Sequence, residues 1–301
     1  MALPNFVVIG AQKSASTFLR ACLNDHPDIY VPYEEIPFFE SPDYDETSIA
    51  ALEALFEGKP QRFLGIKRPS YLARREVAAR LQRHVPEARL LAVLRNPVDR
   101  AVSAYFHYIN GGVIPPLDIE TGLRLILDDS SFRSQYQRSS EIIDFGLYEN
   151  HLRNYEFFLD QNRLLILLHD DISKDALSSV QQTYKFIGAS DTFVPASLHS
   201  RPMKVTYNLT RLKFLNNRHK YMTVYNATRT RRHAKRMTMF DYAAAGLILG
   251  VDRLLLSKIL DNRKPAISKD LQHRLLARFE NDMTALEALT GRDLAAWRQV
   301  K

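Results

Sequence analysis

The chain opens on Asn5-Phe-Val-Val-Ile-Gly-Ala-Gln-Lys-Ser-Ala-Ser-Thr-Phe-Leu-Arg20, a segment that admits few folds. Phe6 to Ile9 is a short β-branched run, Gly10 to Ser14 reads as a loop, and apolar residues recur at helical spacing from Ser16 to Leu23. Strand, loop and helix therefore follow one another directly. In that order the first free N–H groups of the helix face back across the loop and its dipole adds partial positive charge, so an anion is the natural occupant. Lys13 supplies a full charge, and Ser14, Ser16 and Thr17 supply hydroxyl donors. A nucleoside-triphosphate loop needs Gly, four residues, then Gly-Lys-Ser/Thr. Here Lys13 follows Gly10 with no glycine before it, so that pattern fails and a different phosphate is implied.

Further strands are predicted at Ile29 to Val31, Phe63 to Lys67, Arg89 to Leu94 and Arg163 to Leu168. The run at Arg89 to Leu94 is continuously apolar, as in a strand buried within a parallel sheet. Helices are predicted at 47–56 with Thr47 as N-cap, 74–84, 97–108 with Pro97 at the first position, 117–127, 147–159, and 173–187 with Ser173 as cap. Alternation at this spacing predicts an α/β domain on a central parallel sheet. Beyond Gly188 the strand signal fades. An apolar helix is predicted from about Phe240 to Leu260, either a core helix or a lid over a lipid or polyketide-like chain, and a last helix from Ser268 to Leu289 with Gly291 past its end. The expected organisation is one domain over 1–301: an α/β cofactor-binding core at 5–190, a basic and apolar helical lid or acceptor segment at 191–265, and a closing helix and tail at 266–301.

The net charge of +7 matters chiefly for its placement. Between Asp191 and Asp241 there is no acidic residue, while eleven Lys and Arg fall there, from Arg201 and Lys204 to Lys235 and Arg236. Such a segment calls for an anionic neighbour: cofactor phosphates, an acidic acceptor, nucleic acid or an anionic membrane surface. The single cysteine, Cys22, excludes an intrachain disulfide and is expected to fill core. No Asp/Glu or His set has metal-ligand spacing, so no metal is expected. The start lacks a leader-like apolar stretch, and the longest apolar run, Ala243 to Val251, is bounded by Asp241 and Asp252 and too short to span a bilayer. A cytoplasmic location is the expectation.

The second strong signal is Arg95-Asn-Pro-Val-Asp-Arg-Ala-Val-Ser-Ala-Tyr105. An arginine at the end of a buried strand, followed by a helix carrying Ser103, puts a guanidinium and a hydroxyl at the rim where α/β sheets bind ligands. Together, the two segments resemble those of sulfotransferases that use 3′-phosphoadenosine-5′-phosphosulfate (PAPS). Lys13-Ser-Ala-Ser-Thr17 is similar to that family's 5′-phosphosulfate loop, departing from it at Ala15, where glycine is commoner. Arg95 to Tyr105 is similar to its 3′-phosphate motif. The closing segment from Leu275 to Trp297 looks like the last helix and tail of bacterial members.

The resemblance implies a P-loop-like three-layer fold. It also implies a 5′-phosphosulfate held by Lys13, Ser14, Ala15, Ser16 and Thr17, and a 3′-phosphate held by Arg95 and Ser103. Arg201 and Lys204 are read as further cofactor-binding cations. Glu34-Glu-Ile-Pro-Phe-Phe39 resembles the Glu-x-x-Phe-Phe element of the heparan-sulfate-type branch, which makes Glu35 the implied general base, its pKa expected to rise beside aromatics. Glu40 is expected at the surface, as is Arg100 if it is not a ligand; Tyr105 is expected in the core. Lys67-Arg-Pro-Ser-Tyr71 resembles the Lys-Thr/Ser-Pro-x-Tyr segment of the same branch, with Arg68 in place of the hydroxyl residue, and implies Lys67 beside the transferring group.

The function implied is sulfuryl transfer from PAPS to a hydroxyl or amine of a small-molecule or glycan acceptor, releasing adenosine 3′,5′-bisphosphate. A carbohydrate acceptor is favoured and a lipid or polyketide-like hydroxyl is the alternative. A phosphoryl-transfer enzyme would need an acidic magnesium ligand at a strand end, which Leu94 to Asn96 does not offer. A polyanion-binding module built on residues 192–240, with interleaved aromatics, is the reading from another class. It leaves Arg95, Ser103 and Glu35 without a role, and no nucleic-acid partner is expected.

Overall fold

A computed structural model describes residues 2–200, 205–225 and 232–300. Five strands, β1 (Phe6–Gly10), β2 (Ile29–Tyr30), β3 (Phe63–Lys67), β4 (Arg89–Leu94) and β5 (Leu164–Leu168), form one sheet in the order β2-β3-β1-β4-β5. Every neighbouring pair is parallel. β1 is central, and Phe6, Val7, Val8 and Ile9 are wholly buried. That explains its unbroken apolar sequence, since both faces of a parallel sheet are covered.

The labelled helices are those of eight residues or more: α1 (Ser16–Asp25), α2 (Arg75–His84), α3 (Pro97–Asn110), α4 (Ile119–Asp128), α5 (Ala176–Ile187), α6 (Leu209–Asn216), α7 (Met239–Val251) and α8 (Lys269–Thr290). The central parallel sheet flanked by helices is the expected architecture. The chain divides into two compact units, one of Met1–Asn96, Leu147–Met203 and Asn281–Trp297, the other of Pro97–Gly146, Lys204–Glu280 and Arg298–Lys301.

In the first unit, Leu19, Cys22 and Leu23 of α1 and Val180, Tyr184 and Ile187 of α5 close one face of the sheet over Phe6, Val8, Leu91 and Val93. Cys22 is core filling, and burial pushes its thiol up to about 12. Several local expectations need correction. The helix expected over 47–56 is three short turns, and its cap is Asp45, whose carboxylate accepts from the Thr47 N–H at 3.0 Å. The helix expected from Ser173 starts at Ala176. Asp175 caps it through the Ser178 N–H, while the Ser173 hydroxyl donates to the His169 carbonyl. The stretch 147–159 breaks into Tyr148–Leu152, Arg153–Tyr155 and Glu156–Asp160, with two buried tyrosines pinning it, Tyr148 Oη on the Arg95 carbonyl and Tyr155 Oη on the Tyr71 carbonyl.

In the second unit the basic segment contributes α6 and a small antiparallel hairpin, β6 (Thr223–Tyr225) with β7 (Arg232–Ala234), which periodicity did not signal. The alternative of a core helix over 240–260 does not hold. Along α7 only Asp241 and Ala245 are buried. Arg100, read as a surface charge if not a ligand, is instead wholly buried and donates to the Ile142 carbonyl. Tyr105 is core, as expected.

Gly65 fixes the packing of β3 on β1, because a Cβ there would lie 2.1 Å from Phe6 Cζ. Gly65→Ala is expected to cost about 1–3 kcal/mol through overpacking, measured as a lowered urea midpoint. An unchanged midpoint would show that the Phe6 ring has room to yield.

Candidate active site

The loop between β1 and α1 is tied to the next strand by the Ala11 N–H on the Val93 carbonyl at 2.8 Å. Lys13 and Ala15 both hold left-handed backbone, at φ 69° and 72°. Ala15 stands at the N-cap of α1, and no side chain caps the helix. Ser14 is wholly buried and its Oγ has no hydrogen-bond partner. An orphaned buried hydroxyl beside an uncapped helix start is a place where donors wait for an acceptor from outside.

Cations surround that point. Burial, with the Arg95 guanidinium next in importance, lowers the Lys13 amine to about 8. Arg95 Nη1 donates to the Lys13 carbonyl at 3.3 Å, which puts the residue after β4 directly against the loop after β1. Tyr148 Oη fixes Arg95 by donating to its carbonyl at 2.7 Å, and Asn96 Nδ2 donates to the Trp297 carbonyl at 3.0 Å. The C-terminal tail thus braces the strand end that presents Arg95.

Glu35 lies on the same side of the first unit. Lys67 Nζ, at the end of β3, meets Glu35 Oε1 at 2.7 Å and Thr17 Oγ1 at 3.4 Å. Arg68 Nη1 reaches Glu35 Oε2 at 3.3 Å, and its Nε reaches Glu40 Oε1 at 2.7 Å. Glu40, expected as a surface group, has a side chain only 11% exposed and is held by Arg68. The expected rise in the Glu35 pKa is also corrected. Burial does push it up, but Lys67, Arg68 and Arg20 together outweigh burial and hold the carboxyl below the usual glutamate range. Lys67 is itself lowered, first by burial and then by Arg20 and Arg68, against the opposing pull of Glu35.

The structure therefore gathers Lys13, Ser14, Ala15, Ser16, Thr17, Glu35, Lys67 and Arg95 in the first unit. Ser103 is on α3 in the second unit, 2% exposed. Arg201 and Lys204 lie outside the described residues. Three contributors were not read as site residues from the sequence. Arg20, on α1, cups the Tyr33 ring at 4.5 Å and biases the Glu35–Lys67 pair. Arg68 joins two carboxylates, and Tyr148 orients Arg95. Arg20 is discoverable by spacing, one turn beyond Thr17 on the same helix; the others depend on contacts distant in sequence. Among the described residues no group of His, Cys, Asp and Glu is arranged to hold a metal ion.

Glycine tolerates positive φ where alanine does not, so Ala15→Gly is expected to stabilise the protein by about 1 kcal/mol, read as a raised denaturant midpoint. A lowered midpoint would show the left-handed conformation to be unstrained. For Lys13, the rate of acylation by an amine reagent, followed by peptide mass spectrometry, is expected to rise with a midpoint near pH 8. A midpoint in the ordinary lysine range would contradict the burial and the Arg95 contact.

Residues 3–243 match the sulfotransferase domain family, a match that runs well into the basic segment. A curated relative is the human bifunctional heparan sulfate N-deacetylase/N-sulfotransferase 2, 27% identical over an alignment of 205 residues that covers 62% of this chain and 22% of that protein. Another is mouse heparan sulfate glucosamine 3-O-sulfotransferase 5, 24% identical over 189 residues, 62% of this chain and 53% of that protein. The chain thus spans between about a fifth and about half of these relatives' lengths. A crystal structure of a sulfotransferase from Alicyclobacillus acidocaldarius superposes with a TM-score of 0.68 at 25% identity, covering 99% of this chain and 100% of that one. With residues 3–243 matched, well over half of its length, the chain belongs to the sulfotransferase domain family.

Proposed function

We propose that the protein transfers the sulfuryl group of PAPS to a hydroxyl or amine of a carbohydrate acceptor, with Glu35 as general base. The observation that carries this reading is the contact of Arg95 with the Lys13 loop, which sets two cations from different strand ends around an uncapped helix start and an unpartnered Ser14 hydroxyl. The residues suit a bisphosphorylated nucleotide. Ser14, Ser16, Thr17 and Lys13 would hold the 5′-phosphosulfate, and Arg95 the 3′-phosphate.

The bound co-substrate supplies the sulfuryl group and a bisphosphate leaving group. Glu35 takes the acceptor proton as the acceptor oxygen or nitrogen bonds to sulfur and the bond from sulfur to the 5′-phosphate oxygen breaks. Lys13 and Lys67 neutralise charge on the transferring group and the leaving oxygen. Lys67 touches both Glu35 and Thr17, so it links the base to the anion loop. A bound anion that draws on the charge of Lys67 would leave Glu35 more basic than in the free protein. The N-sulfotransferase and 3-O-sulfotransferase names of the heparan sulfate relatives support a glycan acceptor.

A second reading, a lipid or polyketide-like hydroxyl, draws on a 320 Å³ cavity lined chiefly by apolar residues between Ile36 and Leu55, directly after Glu35 in the chain. The polyanion-module reading loses support. Several of the basic segment's cations are engaged inside their own unit: Arg211 with Asp252 at 2.8 Å, Arg218 with the Asn110 carbonyl at 2.7 Å and Lys235 with Asp241 at 2.9 Å.

Transfer of labelled sulfur from PAPS to a panel of glycan and lipid acceptors, read by mass spectrometry, tests the assignment. Glu35→Gln is expected to retain bisphosphate affinity and lose about 10²- to 10⁴-fold in turnover; unchanged turnover would remove Glu35 from the mechanism. Glu35 is depressed and Lys13 is charged only below about 8, so kcat/KM is expected to stay level from below the ordinary glutamate range up to near pH 8 and then to fall. An acidic limb near neutrality would contradict the Lys67 and Arg68 contacts.

A further inference from the structure

Eight of the twelve large apolar side chains exposed among the described residues lie between Met239 and Ile259. They include Met239 at 86%, Phe240 at 71%, Leu247 at 69%, Leu254 at 70% and Ile259 at 63% exposure. Phe240 and Leu247, seven residues apart, share one face of α7, and the run continues through the π-helical turn Asp252–Leu256, which carries Leu254, to Ser257–Ile259. The two carboxylates of the run face the other way. Asp241 accepts from the Thr238 N–H and from Lys235, each at 2.9 Å, and Asp252 is held bidentately by Arg211 at 2.8 Å. This inverts the usual pattern of a surface helix, which turns its apolar stripe inward.

The exposed charge around this face is basic. Arg236, Arg253 and Lys258 are exposed and pair with no acidic side chain among the described residues, whereas the run's acids, Asp241 and Asp252, are buried in ion pairs. An exposed apolar face rimmed by unpaired cations is complementary to anionic headgroups above acyl chains. A second copy of the chain would instead bring Arg253 and Lys258 against their own equivalents. No helix among the described residues is long and apolar enough to cross a membrane, so the fit is to a surface. We propose that the 239–259 helical run lies flat on an anionic lipid bilayer and anchors the protein there.

Co-sedimentation of the full chain with vesicles tests this. Phosphatidylcholine vesicles containing phosphatidylglycerol are expected to pellet the protein at low salt, and phosphatidylcholine alone is not. Raising the salt to roughly 0.5 M should release it by screening. Arg253→Gln and Lys258→Gln are each expected to weaken binding about fivefold, and the double variant Leu247→Gln/Leu254→Gln at least tenfold. These side chains are exposed, so the urea midpoint and adenosine 3′,5′-bisphosphate affinity should match the parent, which separates lost anchoring from lost folding. Equal binding to both vesicle types, binding to neither, or full binding by all the variants would overturn the proposal. So would a dimer, seen by sedimentation velocity, that Leu247→Gln/Leu254→Gln converts to monomer, which would assign the face to a second copy.

Discussion

Mutual repulsion among cations gathered at the start of α1 is the constraint that the first unit must accommodate. Lys13, Lys67, Arg68 and Arg95 converge there with Arg20 nearby, and Glu35 and Glu40 are their acidic partners. The cost is visible in the amines: burial and neighbouring charge hold Lys13 near 8 and depress Lys67. Such an arrangement persists only on a rigid base. Here that base is a strand buried on both faces, a backbone bond from Ala11 to Val93, and the Tyr148 and Trp297 contacts around Arg95 and Asn96. An arriving anion would relieve the repulsion that the scaffold sustains, which ties stability and binding to the same few residues.

The ion pair of Glu35 with Lys67 carries this tension toward chemistry. A carboxylate held below its ordinary range is ionised across the physiological span and ready to accept a proton, yet it is weakly basic while Lys67 remains on it. Since Lys67 also reaches Thr17, one side chain connects the Glu35 carboxylate to the start of α1. Arg68 adds a second tether, and its own link to Glu40 fixes the hexapeptide that carries Glu35.

Much of this was legible in the sequence because it is local. β1, β3 and β4 follow from short apolar runs, and the loop between β1 and α1 follows from the order of strand, loop and helix, which needs no distant partner. Where two capping residues stand close together, as Asp45 with Thr47 or Ser173 with Asp175, composition does not decide between them; the backbone path does. The sign of the Glu35 shift was not legible, because the cations that set it lie 32 and 33 residues away. Asn96 and Trp297 are 201 residues apart. The run from Met239 reads by composition as either a core helix or a lid, and only its exposure over most of its surface distinguishes it from a buried helix. In the second unit charge is drawn inward, as Arg211 on Asp252 and Arg138 on Glu141, while apolar side chains are left outside.

The central claim is that Lys13 and Arg95 grip one nucleotide from two strand ends. Calorimetric titration with adenosine 3′,5′-bisphosphate of the parent, Lys13→Ala, Arg95→Ala and the double variant measures it directly. Loss of a charge-assisted contact is worth about 1.5–3 kcal/mol, so each single variant is expected to bind roughly ten- to a hundredfold more weakly. The double variant should depart from additivity, because Arg95 contacts the Lys13 backbone. Parent-like affinity in both single variants would contradict the account.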